Sequence, residues 1–188
     1  MTFSGSKFDF QLVPKCFLVA IIGALIAGVY GILHDQVTYS ISEEYFTRLK
    51  FFQFQWADPR CESPRVFVAI IGFLATWGVG LVAGWCLARF AVVGKGKILP
   101  LGEIVKYFPV LIVMTFLFGV AGWGWGYRRR STGYADGWLD RLDDLHVENH
   151  EAFMTVAYIH NFGYAGALVG LILALILLHR NKTTKRRP

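Results

Sequence analysis

The stretch CFLVAIIGALIAGVYGILHDQVTYS, residues 16–40, decides the fold. Its first eighteen residues carry no charge; then His34, Asp35, Gln36 and Thr38 arrive together. An α-helix needs about 20 mainly apolar residues to cross a bilayer, so the run reads as a membrane span with a polar end. Three more blocks match it. Residues 66–88 hold no charge, residues 107–127 hold none and carry Pro109 in the first turn, where proline is tolerated, and residues 152–178 hold His160 as their ionisable residue of note. A transmembrane barrel would show alternating segments of about ten residues, and none appear. The sequence therefore predicts an all-α membrane domain over 1–188, a four-transmembrane-helix bundle with spans 16–33, 66–88, 107–127 and 152–178.

Composition agrees. The chain is 55% hydrophobic and 17% charged, with mean hydropathy +0.45, whereas soluble domains carry about 25% charged residues. The first block exceeds the usual ~7–15-residue core of a signal peptide and lacks a small-x-small cleavage site, so it reads as a retained helix. Four spans place both termini on one side. That side carries 11 Lys and Arg (Lys7, Lys15, Arg89, Lys95, Lys97, Lys106, Arg180, Lys182, Lys185, Arg186, Arg187) against two acids, Asp9 and Glu103; the other side carries 8 basic and 11 acidic residues. Basic loops stay in the cytoplasm, which predicts a multi-pass protein of the cell inner membrane with both termini cytoplasmic; Arg128, Arg129 and Arg130 alone run against the bias. The net charge of +6 is thus mostly topology, and nothing supports a nucleic-acid partner. Cys16 and Cys86 fall at inner helix ends and Cys61 in the first outer loop, so the sequence predicts no intrachain disulfide on the outer side; the absence of CxxC removes a thiol-oxidoreductase reading.

Within the second span, Gly72, Thr76, Gly80, Gly84 and Ala88 form an i, i+4 ridge of small residues. In lipid such ridges let helix backbones approach closely. The pattern leaves open whether this ridge meets a neighbouring helix, a second copy in a homo-oligomer, or a membrane-protein partner. At the outer end of the third span, Trp123 and Trp125 fit the aromatic belt at the headgroup level.

The outer loops predict two further helices. In SISEEYFTRLKFF, Ser40 and Glu43 fit a capping box, and Glu43 and Glu44 then fall in a first turn, where negative charge suits the helix dipole. The aromatic residues that follow predict a short helix lying in the interface plane. In DGWLDRLDDLHVENHEAF, Trp138, Leu142 and Leu145 recur at helical spacing, which predicts an amphipathic helix before the fourth span, with Asp136 as its cap.

Four histidines stand on or near the acidic side: His34, His146, His150 and His160. Imidazole suits zinc, copper, iron and nickel, and carboxylates add to harder ions. His146 and His150 at i, i+4 would share a helix face, so a transition-metal site is expected there, completed by His34 or, as the second choice, by a separate contact at His160 deeper in its span. Asp35, Glu44 or Glu148 would be a further ligand or a general base. A haem would need two axial histidines at matched depth, and His34 reads as shallower than His160, which counts against it. His179, at the inner end, reads as an interfacial anchor.

The strings HDQVTYSISEEYF (34–46), KFFQF (50–54) and HNFGYAGALVGLI (160–172) resemble a family of small bacterial multi-pass membrane proteins. The resemblance implies a four-helix membrane protein and groups His34, Asp35, Gln36, Thr38, Tyr45, His160 and Asn161 as one unit; it carries no activity with it. Two functions are therefore expected. One is a binding or catalytic site in a polar His/carboxylate pocket at the outer end of the bundle, metal-assisted. The other is a non-enzymatic structural or accessory subunit of a membrane complex, which would dock a partner on the second-span ridge. A transport pathway finds little room among four helices, and no broken-helix pair is present.

Overall fold

The computed structural model describes residues 12–60, 62–92, 99–134 and 136–184. Lys7, Asp9, Cys61, Lys95, Lys97, Lys185, Arg186 and Arg187, used above for charge and cysteine placement, lie outside these residues, as does the side chain of Asp136. The helices are α1 (Val13–Ile41), α2 (residues 43–53), α3 (Pro64–Val92), α4 (Leu101–Val105), α5 (Phe108–Thr132), α6 (Asp136–Asp144) and α7 (His150–Thr184), with no strand among the described residues. Four of them, with α4 leading into α5, are long and apolar enough to cross a membrane. Every span outruns its apolar block. Helical hydrogen bonding does not stop where side chains turn polar, and α1 continues through His34, Asp35, Gln36 and Thr38 to Ile41.

The spans pack as two tight pairs, α1 on α3 and α5 on α7, with much sparser contact between the pairs. Glycine sets this. A Cβ on Gly31 would collide with the carbonyl oxygen of Gly72, and one on Gly72 with that of Gly31; Gly23 and Gly80 are matched in the same way. Thr76 Oγ1 adds a hydrogen bond to the Ala27 carbonyl at 2.8 Å. The small-residue ridge of α3 therefore packs on α1 of the same chain, one of the alternatives that the pattern leaves open. In the other pair, Gly122 lies against the Tyr158 carbonyl and Gly166 against that of Met114.

Two apolar clusters join the pairs. One, at the end near the termini, contains Val19, Leu87, Ile104, Phe108, Ala174 and Leu178. The other, at the distal end, contains Tyr45, Phe46, Val68, Leu142, Phe153 and Val156. At the terminal end, Lys182 Nζ also donates to the Phe90 and Ala91 carbonyls at 3.1 and 3.0 Å, satisfying groups that a helix C-terminus leaves open.

The distal loops differ from expectation in two places. The cap of α2 is Ser42, not Ser40: Ser42 Oγ accepts the Tyr45 amide at 3.3 Å, while Ser40 still belongs to α1 and donates to the Gln36 carbonyl. Glu43 and Glu44 do open the new helix. Second, HVENH is not one helix face. The amide of Val147 bonds the Leu142 carbonyl at 3.0 Å and that of His146 bonds Asp143 at 2.9 Å, with His146 at φ +51°. This is a Schellman stop with a left-handed C′ residue, closed by Leu142 and Val147 in one apolar cluster. Chain direction changes there, and α7 restarts under an Asn149 cap, whose Oδ1 accepts the Ala152 amide at 3.0 Å.

Two stability predictions follow from this packing. Gly80→Leu forces α1 and α3 apart and should lower stability in detergent by roughly 2 kcal/mol or more, whereas Gly78→Leu, where a Cβ meets nothing, stays near wild type; equal melting temperatures would refute the close approach. His146→Gly removes the left-handed strain and should stabilise by about 1 kcal/mol, read as a raised melting temperature.

Candidate functional site

Extending α1 to Ile41 carries His34 and Asp35 down into the bundle. His34 lies seven residues from that helix end and His160 ten residues from the start of α7, so both sit about 10–15 Å in at 1.5 Å per residue. They meet across the gap between the helix pairs. His34 Nδ1 is 3.1 Å from Asp35 Oδ1, and His160 Nε2 is 3.2 Å from the same oxygen. The two imidazole rings touch edge to face, with centroids 4.9 Å apart. Asp35 and His160 are buried, 4% and 8% exposed.

The hydrogen bonds fix part of the proton inventory. His160 Nδ1 lies 3.0 Å from the Val156 carbonyl. A carbonyl only accepts, so Nδ1 carries a hydrogen. Nε2 then confronts a carboxylate oxygen, and two lone pairs cannot face each other without a proton or a cation between them. Tyr45 stacks on His160 at 5.0 Å and Phe46 meets its edge, so the ring cannot turn away from Asp35.

Below the cluster runs a narrow cavity of about 90 Å³ lying between the two helix pairs. Its walls are mostly apolar side chains; its polar groups include His34, Asp35, His160, Tyr30, Lys50 and Tyr164. Lys50 enters from α2 because residues Phe46–Lys50 form a π-turn, an insertion of the kind often found at functional sites. Its Nζ lies 5.6 Å over the Tyr45 ring and has no ion pair among the described residues. Burial away from water pulls its pKa below 10.5, and the nearby Asp35 charge only partly opposes that.

Of the residues expected from sequence, His34, Asp35 and His160 come together, and Tyr45 packs on them. The other four do not. His146 is exposed and caps α6; His150 starts α7, about 15 Å along the helix from His160. Glu44 Oε1 and Oε2 accept the Glu148 and Asn149 amides, each at 2.8 Å, so this carboxylate pins α2 to the start of α7. Glu148 joins it at the surface, away from the cavity. Gln36, grouped with the site by resemblance, instead links α1 to α3: its Nε2 donates to the Arg65 carbonyl at 2.8 Å, and its Oε1 accepts from the Arg65 guanidinium at 3.1 Å. The expectation that His34 is the shallower histidine is also corrected, because α1 does not end at residue 33. Depth is matched, yet rings in contact leave no room for a porphyrin between them. Lys50 was missed; the sequence offered only its place among aromatic residues.

Among the described residues, His34, Asp35 and His160 are the group whose ligand atoms converge, all within 4.8 Å of one another. Compared with family models, with curated proteins and with solved structures, the chain matches none.

Lys50 should lose its proton at lower pH than exposed lysines. Stability then rises as pH climbs through its folded value toward 10.5, because the unfolded chain binds the extra proton in that window. Titration of ¹³C-dimethylated protein, with the Lys50 signal assigned by its loss in Lys50→Arg, checks this; titration alongside the other lysines would overturn it. Glu44→Ala should cost about 1–3 kcal/mol through two lost charge-assisted bonds, with Glu44→Gln milder in the same thermal assay.

Proposed function

We propose that the chain is a multi-pass inner-membrane protein, its termini in the cytoplasm, which binds a divalent transition metal through His34, Asp35 and His160. One observation carries the metal reading: two imidazole nitrogens from different helices aim at a single buried carboxylate oxygen. Zinc ligands at about 2.0–2.1 Å in a tetrahedral site lie roughly 3.3 Å from each other, and the two N···O separations are 3.1 and 3.2 Å. A metal-ligating histidine usually donates its other ring N–H to a carbonyl or carboxylate, and His160 has that bond to Val156. Two histidines and one carboxylate leave coordination positions open, and these would face the cavity. The orientation rests on the excess of basic residues at the terminal end.

Such a site does chemistry by polarising a bound oxygen or lowering the pKa of a bound water. The protein contributes fixed ligand geometry, a mostly apolar wall and Lys50 nearby. The carboxylates outside the cavity, Glu44 and Glu148, take no part.

Protein purified in mild detergent without chelator should contain near one equivalent of metal by elemental analysis. His34→Ala and His160→Ala should each lose at least about tenfold in affinity, within the range for lost ligand support, while His146→Ala and His150→Ala retain it. Added Co²⁺ should give a visible d–d band in the wild type only. Metal-free protein that also fails to bind Co²⁺ or Zn²⁺ would sink the proposal and leave the cluster as a structural ion pair, in keeping with an accessory subunit.

A further inference from the structure

The cavity extends well beyond what a metal centre needs. It reaches from Asp35 down to Gly23 on α1, twelve residues or about 18 Å at 1.5 Å per residue. It is asymmetric: charged and hydroxyl groups gather at the distal end, and toward the termini the wall is Gly23, Ile26, Ala83, Phe108 and Leu111. Its volume of about 90 Å³ spread over that length makes it a narrow cleft rather than a rounded pocket.

The cavity is not closed, and two of its wall residues reach the outer surface of the bundle. Val79 and Tyr164 line the cavity and are 43% and 45% exposed. Val79 stands at the middle of Pro64–Val92. In a helix crossing a bilayer, that level faces hydrocarbon, so the opening admits what is dissolved in lipid rather than in water.

Charge selects the head. Asp35 is already engaged by two histidines. Lys50 lies near enough to feel the Asp35 charge but makes no salt bridge among the described residues. With a divalent ion on the His/Asp group, or with a proton between His160 and Asp35, the distal end keeps an excess of positive charge. A half-buried cation with no salt bridge carries a desolvation cost, and an anionic group arriving there would relieve it.

We infer that the cavity binds a single-chain lipid with an anionic head, entering sideways from the bilayer, its head against Lys50 and the His34/Asp35/His160 cluster and its tail toward Phe108. The head position builds on the metal reading; the tail cavity and Lys50 do not need it.

The test uses spin-labelled stearic acid and its methyl ester, with full-length protein in phosphatidylcholine nanodiscs. The acid should show an immobilised spectral component in the wild type and bind about tenfold more tightly than the ester, a difference of roughly 1.4 kcal/mol. Lys50→Gln should bring the acid down to the level of the ester. Gly163→Leu should block both probes; Gly163 lines the cavity, a Cβ there meets only Thr115 Cγ2 at 3.8 Å, and a melting temperature equal to wild type checks that the variant keeps the fold. Equal binding of acid and ester would overturn the anionic head, and acid binding that survives Gly163→Leu would overturn the cavity as its place. Repeating the titration after chelation, and in His34→Ala, separates the two readings. Lipid binding that persists without metal supports the lipid site alone; metal binding with no immobilised stearate sinks the lipid site and leaves the metal proposal standing.

Discussion

Asp35 holds a carboxylate inside a helix of an apolar bundle, and the arrangement around it follows from that cost. An ionised group at this depth must be paired or neutralised. Asp35 meets His34 on its own helix and His160 on the far side of the gap, so the pairing that satisfies it also joins one helix pair to the other. Removing one partner of a buried pair typically costs about 3–5 kcal/mol, comparable to the whole margin of a small domain. The aromatic rings of Tyr45 and Phe46 then fix His160 from the distal side, which explains why α2 folds back over the bundle rather than lying free at the surface.

The two modes of packing divide the labour. Within each pair, glycines bring backbones into contact and leave no space. Between pairs, apolar clusters close the two ends and a cavity remains in the middle. A bundle with evenly spread small residues would have no such interior. The feature that packs each pair tightly therefore also leaves room between them.

The spans were legible because bilayer thickness imposes a length on apolar runs, and the two distal helices because caps and helical spacing are local. The site was legible in its members but not in its pairing. His146 and His150 stand four apart, and spacing alone puts them on one face; a histidine in the left-handed C′ position, where glycine is usual, broke the helix without a sequence warning. His34 and His160 are 126 residues apart in the sequence, and only the continuation of α1 past its apolar block brings them level. Glu44 looked like a ligand because carboxylates look alike in a sequence; its bonds to two backbone amides are tertiary facts. Lys50 depends on a π-turn, which shifts every later side chain around the helix and has no simple periodic signature.

The division into two glycine-packed pairs bears on how the molecule is made. Each pair satisfies its own backbone and its own close contacts, so each can insert and close as a helical hairpin before the other is complete. The His34/Asp35/His160 cluster draws on both hairpins and cannot exist until they dock. It is therefore the last part of the structure to form during biogenesis, and whatever fills it locks the assembled halves together.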